Sequence, residues 1–169
     1  MPDFPKVGND NLLERFFRKE DVKTTFNGSD GKDTITVKPG RNGGVNVTVN
    51  GETYYVPKDK VKDIVINAGA GRDTVTVDPR VRQGITINGG EGNDTIQGGS
   101  GRDHIYGGEG NDTIDGGRGH DHIYGGDGRD TIKESAGNDR VNFGGPNAAP
   151  DQRFSLEELL EMLRAQFVR

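Results

Sequence analysis

Through the middle of the chain the aliphatic residues fall at a fixed interval of nine. Ile87, Ile96, Ile105, Ile114, Ile123, Ile132 and Val141 each stand between polar or aromatic neighbours, and glycine-rich stretches separate them. Three residues with one β-branched residue in the centre describe a short strand. Alternation sends the central side chain to one face and its neighbours to the other. With a turn between strands, successive strands lie on opposite walls and residues 18 apart stack in one sheet. Ile87, Ile105, Ile123 and Val141 would then line one wall, and Ile96, Ile114 and Ile132 the other. The pattern predicts an all-β, flattened solenoid with a thin aliphatic core.

The flanks follow other periods. Residues 34–67 contain DTITV, VNVTV, ETYYV and DIVIN, each with period-two alternation. Asn50-Gly51 between the second and third of these is a two-residue hairpin signal. This β-rich segment is expected to cap the N-terminal end of the solenoid, since bare end strands invite aggregation. Two short amphipathic helices are expected at the extremes. Asn11 with Glu14 is a capping box, with Leu12, Leu13, Phe16 and Phe17 as the apolar face. Ser155 with Glu158 opens a second helix, whose stripe is Leu156, Leu159, Leu160, Leu163 and Phe167. Four segments result: a helical segment 1–26, a β-rich cap with hairpin 27–67, the solenoid 68–142, and a linker with C-terminal helix 143–169.

The repeat itself carries the chemistry. From residue 89 the sequence runs GGEGNDTIQ, GGSGRDHIY, GGEGNDTID, GGRGHDHIY, GGDGRDTIK without a gap, and ESAGNDRVN at 134–142 is a weaker copy. No proline lies between Pro79 and Pro146, and the period of nine excludes a collagen helix. A glycine-rich linker has no reason to place Asp94, Asp103, Asp112, Asp121, Asp130 and Asp139 at constant spacing. Positions one to six, GGxGxD, form a turn in which glycine accepts positive φ and lets carbonyls crowd together. Upstream, AGAGRDTVT at 68–76 is a degraded repeat with Asp73 in register, displaced by a three-residue insertion around DPRVRQ. GSDGKDTIT at 28–36 reads as a remnant or a plain turn.

Composition narrows the ligand. Glycine contributes 28 of 169 residues, the hydrophobic share is 29%, and cysteine is absent, which excludes disulfides and thiolate metal sites. Residues 1–88 carry a net charge of +2, whereas 89–139 carry −7. An acidic, glycine-rich middle argues against nucleic acid, whose phosphates need a positive surface, and points to a cation. So few aliphatic side chains bury little surface against the entropy of ordering the repeats, and stacked aspartates repel. Cations between them reverse that repulsion. Carboxylates and carbonyls form an oxygen-only donor set that suits Ca²⁺ ahead of Mg²⁺ or Zn²⁺, and folding should require it.

GGxGxDxUx in tandem resembles the calcium-binding repeats of RTX (repeats-in-toxin) proteins, strictly over 89–133 and more weakly over about 68–142. The resemblance implies a right-handed parallel β-roll with Ca²⁺ between turns one coil apart. Turn carbonyls and the position-six aspartates of both turns would be the ligands. On one edge the implied metal residues are Gly89, Gly90, Glu91, Gly92 and Asp94, then Gly107, Gly108, Glu109, Gly110 and Asp112. Gly125, Gly126, Asp127, Gly128 and Asp130 complete that edge. On the other edge they are Gly98, Gly99, Ser100, Gly101 and Asp103, followed by Gly116, Gly117, Arg118, Gly119 and Asp121. Asp139 closes that edge, although Glu134 and Ser135 replace its two leading glycines, and Asp73 offers a further site with Asp94. Roughly four or five ions are implied.

No HExxH, GxSxG, P-loop or EF-hand loop occurs, so no enzyme is expected. No membrane span and no cleavable secretory signal is visible. Proteins resembling this one are commonly exported by a bacterial type I system that reads the C-terminus, which implies a secreted, extracellular or cell-surface location. His104 and His122, beside Tyr106 and Tyr124, are expected as an exposed ladder in preference to a zinc or nickel site. Thr95, Thr113 and Thr131 form a column, but Gln97, Asp115 and Lys133 beside it break the regular array that ice binding needs. The alternative to a calcium module is an adhesion or partner-binding protein using the His/Tyr wall or the C-terminal helix, with calcium only structural.

Overall fold

The computed structural model describes residues 22–133 and 137–144. Both expected helices, at 11–20 and 155–169, lie outside the described residues, as do Glu134 and Ser135. Among the described residues thirteen strands form two walls. Wall A contains β1 (Thr25–Asn27), β5 (Val65–Gly71), β7 (Thr86–Gly92), β9 (His104–Glu109), β11 (His122–Asp127) and β13 (Arg140–Asn142), side by side in that order. Wall B runs β12 (Thr131–Lys133), β10 (Thr113–Asp115), β8 (Thr95–Gln97), β6 (Thr74–Val77), β2 (Thr34–Pro39), β3 (Val45–Val49) and β4 (Glu52–Val56). The fold is an all-β parallel β-solenoid of about four turns, a β-roll.

Register follows the repeat. Ile87 pairs with Ile105 and Ile105 with Ile123, which pairs with Val141. On wall B, Ile96 pairs with Ile114 and Ile114 with Ile132. Each central residue points between the walls, so the core is a double file of aliphatic side chains.

The stacking begins before the repeats do. Phe26 pairs with Ile66, and Ile35 pairs with Val75, across 40 residues of sequence. The turn 28–33 therefore sits one coil ahead of 68–73. The intervening chain makes an excursion: β3 and β4 add antiparallel to β2 on wall B. Their connection, Asn50-Gly51, has φ of 49° and 92°, the paired positive values of a type I′ turn whose twist suits a hairpin. Val45, Val47 and Val56 of the hairpin are buried and thicken the core at this end. A six-residue 3₁₀ segment, Lys58–Asp63, buries Val61 and returns the chain to wall A. Between β6 and β7 the coil is longer by three residues, and Val81 and Ile85 fold inward there to fill it.

Candidate metal centre

The turns between walls stack into two edges. One edge carries 28–33, 68–73, 89–94, 107–112 and 125–130; the other carries 98–103, 116–121 and the segment ending at Asp139. Asp33, Asp73, Asp94, Asp103, Asp112, Asp121 and Asp130 are the buried charged residues of the described chain, none more than 6% exposed. They are buried because position six leads straight into a strand and its side chain turns under the glycine-rich turn.

One oxygen of each carboxylate has a structural task. The backbone N–H of Asp73 donates to Oδ1 of Asp94 at 2.8 Å, that of Asp94 to Asp112 at 2.8 Å, and that of Asp112 to Asp130 at 3.0 Å. The N–H of Asp33 reaches Asp73 in the same way. On the other edge Ile85, Asp103 and Asp121 donate to Asp103, Asp121 and Asp139, each at 2.9 Å. Oδ1 thus ties every coil to the one before.

The second oxygen divides the turns into two kinds. Oδ2 of Asp73, Asp94, Asp112 and Asp121 is fully buried and accepts no hydrogen bond. A buried carboxylate oxygen without a donor is costly, on the order of 1–3 kcal/mol or more for a charged group. Burial pushes the Asp112 carboxyl up to about 6, with the Asp94 and Asp130 charges adding to it. Burial likewise lifts Asp121 to about 7, helped by Asp103 and Asp139. Asp73 and Asp94 are raised for the same reasons. Asp103 is raised by burial alone against its hydrogen bonds from Ile85 and Gly99. For Asp33 burial is outweighed by hydrogen bonds from Asn50 and Ser29, which hold it below the usual range.

Carbonyls crowd the same places. Gly69, Gly90, Gly108 and Gly126 share one register across wall A. At Gly108, φ is +119°, and a Cβ there would overlap the Gly90 carbonyl oxygen; at Gly107 a Cβ would overlap both the Gly125 carbonyl and Oδ2 of Asp112. Carboxylate and carbonyl oxygens therefore converge on one small space that only glycine leaves open. Such a set fits a hard cation with six to eight oxygen ligands. Among the described residues no three His, Asp or Glu side chains gather as a metal centre, so the turns would bind chiefly through carbonyls and paired aspartates.

Residues 86–114 and 115–145 match the family model of the RTX calcium-binding nonapeptide repeat, a model of 4 copies. Residues 86–145 are RTX calcium-binding repeats. No curated protein and no solved structure matches the chain. The RTX repeat region coincides with the acidic, thin-cored part of the roll, and the solenoid fold together with these repeats supports a calcium-binding β-roll module. Among the described residues no helix is long and apolar enough to cross a membrane.

The remaining sequence-predicted residues fall around this centre. Glu91, Glu109 and Asp127 stand in one register on the first edge with exposed side chains, so they could offer carbonyls but not buried carboxylates. Arg118 is exposed, with its N–H bonded to the Gly99 carbonyl at 3.0 Å. Ser100 is tied to the preceding coil, its Oγ donating to the Pro79 carbonyl at 2.6 Å. Asp139 is half-buried at the end of its edge. His104 and His122 stack with centroids 4.9 Å apart, and Tyr106 and Tyr124 at 6.4 Å. The segment 28–36, read from the sequence as a repeat remnant or a plain turn, carries Asp33 as a buried member of the series, and the sequence reading missed Asn50 as its partner. It also missed position five, where Oδ1 of Asn93 and of Asn111 accepts the next coil's N–H, each at 2.7 Å. The signal for the first was present as the Gly31, Asp33 and Ile35 spacing.

Proposed function

We propose that this protein is a calcium-folded β-roll of a secreted or cell-surface bacterial protein, in which Ca²⁺ enters between stacked turns. The observation that carries the reading is the buried, donor-free Oδ2 of Asp73, Asp94, Asp112 and Asp121. Bound calcium would give those oxygens a counter-charge and draw in the turn carbonyls, converting edge repulsion into attraction. Turns 68–73, 89–94, 107–112 and 125–130 on one edge, and 116–121 with the following segment that ends at Asp139 on the other, are the assigned positions. Calcium bound to the folded but not the unfolded chain stabilises it by mass action. In a low-calcium cytosol the repeats would stay unfolded, and extracellular calcium would fold them after export.

The test is a far-UV circular dichroism titration from chelator-treated protein, with Mg²⁺ in parallel. A cooperative gain of β signal with Ca²⁺ and none with Mg²⁺ is expected; a spectrum unchanged by Ca²⁺, with no heat of binding in calorimetry, would sink the reading. Export through a type I system is checked by deleting residues 150–169, and unchanged secretion would remove that part.

A partner-binding role for wall A has one observation in its favour. His104, Tyr106, His122, Tyr124, Arg140 and Asn142 line a shallow groove of about 260 Å³, and Tyr106 is the exposed large aromatic of the described residues. A His122→Ala, Tyr124→Ala double variant that folds with calcium yet loses cell-surface attachment would establish that role beside the calcium one.

A further inference from the structure

Two turns depart from the pattern of the others, and they depart in the same way. In 28–33 the position-two N–H, that of Ser29, donates to Oδ2 of Asp33 at 2.7 Å. In 98–103 the position-two N–H, that of Gly99, donates to Oδ2 of Asp103 at 2.9 Å. The bond spans four residues in both. Where position two is Gly69, Gly90, Gly108 or Gly117, φ is +86° to +119°, and the carboxylate of the same turn keeps a donor-free Oδ2. Gly99 and Gly101 lie outside the positive-φ region, as do their counterparts Ser29 and Gly31.

Each exceptional turn leads its edge. Among the described residues no turn precedes 28–33, and 98–103 follows the irregular coil around Val81. The structure holds both in place by other contacts. Ser29 Oγ and Asn50 Nδ2 also donate to the Asp33 carboxylate. Ser100 N–H donates to the Val81 carbonyl at 2.8 Å and fixes the turn around Gly99. The chain that follows the first of these turns also holds most of the core. Twelve of the twenty buried hydrophobic residues of the described chain lie between Phe26 and Val77, with Phe26 against Tyr54 at 5.6 Å.

We propose that 28–33 and 98–103 are start turns closed by the chain's own N–H donors in place of a cation, and that residues 25–77 form a calcium-independent nucleus on which the repeats stack toward the C-terminus. This rests on the calcium reading above and assigns that calcium to the open turns. A nucleus at one end presents β5 and β6 as ready-made edges, so each arriving coil needs only its own ions to add.

Hydrogen exchange of the full chain in chelator, read by mass spectrometry, tests the nucleus directly. Peptides within 25–77 should exchange at least about a hundredfold more slowly than those within 104–133, as expected when stability is localised. Equal, fast exchange in both would overturn the nucleus. Ion counting by native mass spectrometry in calcium tests the start turns. Asp33→Asn and Asp103→Asn should keep the ion count of the unsubstituted chain, whereas Asp112→Asn should lose at least one ion. Loss of an ion in either of the first two would overturn the assignment, and should Asp33→Asn fail to fold, the exchange pattern of the unsubstituted chain decides. A chain that takes up no calcium in any form would overturn the calcium reading itself, a result distinct from uptake without a protected 25–77.

Discussion

At the residue scale the turns separate two uses of glycine that the sequence spells alike. Gly51 has φ of +92° at the hairpin tip, with open space where a Cβ would go. Gly108 has φ of +119° and the Gly90 carbonyl where a Cβ would go. Gly51→Ala should therefore cost only the backbone strain of a left-handed alanine, about 1 kcal/mol. Gly108→Ala should cost that strain and also push the Gly90 carbonyl out of the converging oxygens. A loss of roughly 2–4 kcal/mol and a weakened calcium midpoint are expected for it. Urea unfolding of both variants in saturating calcium, with a calcium titration beside it, checks the contrast. Equal losses at the two positions would mean that the carbonyls do not converge as described.

At the scale of the element, each repeat strand is short, three residues on wall B and at most seven on wall A, and contributes one aliphatic side chain to the core. Such a strand has no stability of its own and depends on neighbours above, below and across. Ile105 is wholly buried between β7 and β11, whereas Ile132, 7% exposed, lies on β12, the edge strand of wall B among the described residues. Ile105→Ala should cost about 2–5 kcal/mol and Ile132→Ala clearly less, measured as chemical unfolding with calcium present. This part of the architecture was legible in the sequence because one period governs it. Nine residues per strand fixes the walls, and Ile87, Ile96 and their successors fall into register without further information. The first coil was not legible in the same way. Phe26 and Ile66 are partners across 40 residues, and an interval lengthened by a hairpin no longer shows as a period. The site was legible as chemistry but not as state. Glycine, aspartate and spacing point to cations, whereas the sign of φ at Gly99 and the reach of Asn50 to Asp33 depend on packing around the turn.

For the whole molecule, the distribution of buried carboxylates makes the metal-free roll sensitive to pH in an unusual direction. Burial, with neighbouring charge, raises Asp112 to about 6 and Asp121 to about 7, and lifts Asp73, Asp94 and Asp103 as well. In the unfolded chain an aspartate titrates near 3.9. Where the folded value is the higher one, the folded state holds more protons between the two values, so folding is favoured by acid. That contribution is fully present below about pH 4 and is lost as pH rises through 6 to 7. Asp33 runs the other way: its lowered value favours folding above the unfolded value and loses that contribution as pH falls through the folded one. The repeats carry five raised carboxylates against this one, so without metal they should be better folded at pH 5 than at pH 8. Calcium should reverse the order, because it competes with protons for the same oxygens and gains as they ionise. Circular dichroism in chelator and in millimolar calcium, each scanned from pH 4.5 to 8.5, checks both limbs. Two parallel profiles would show that the stacked aspartates are not what couples this roll to its cation.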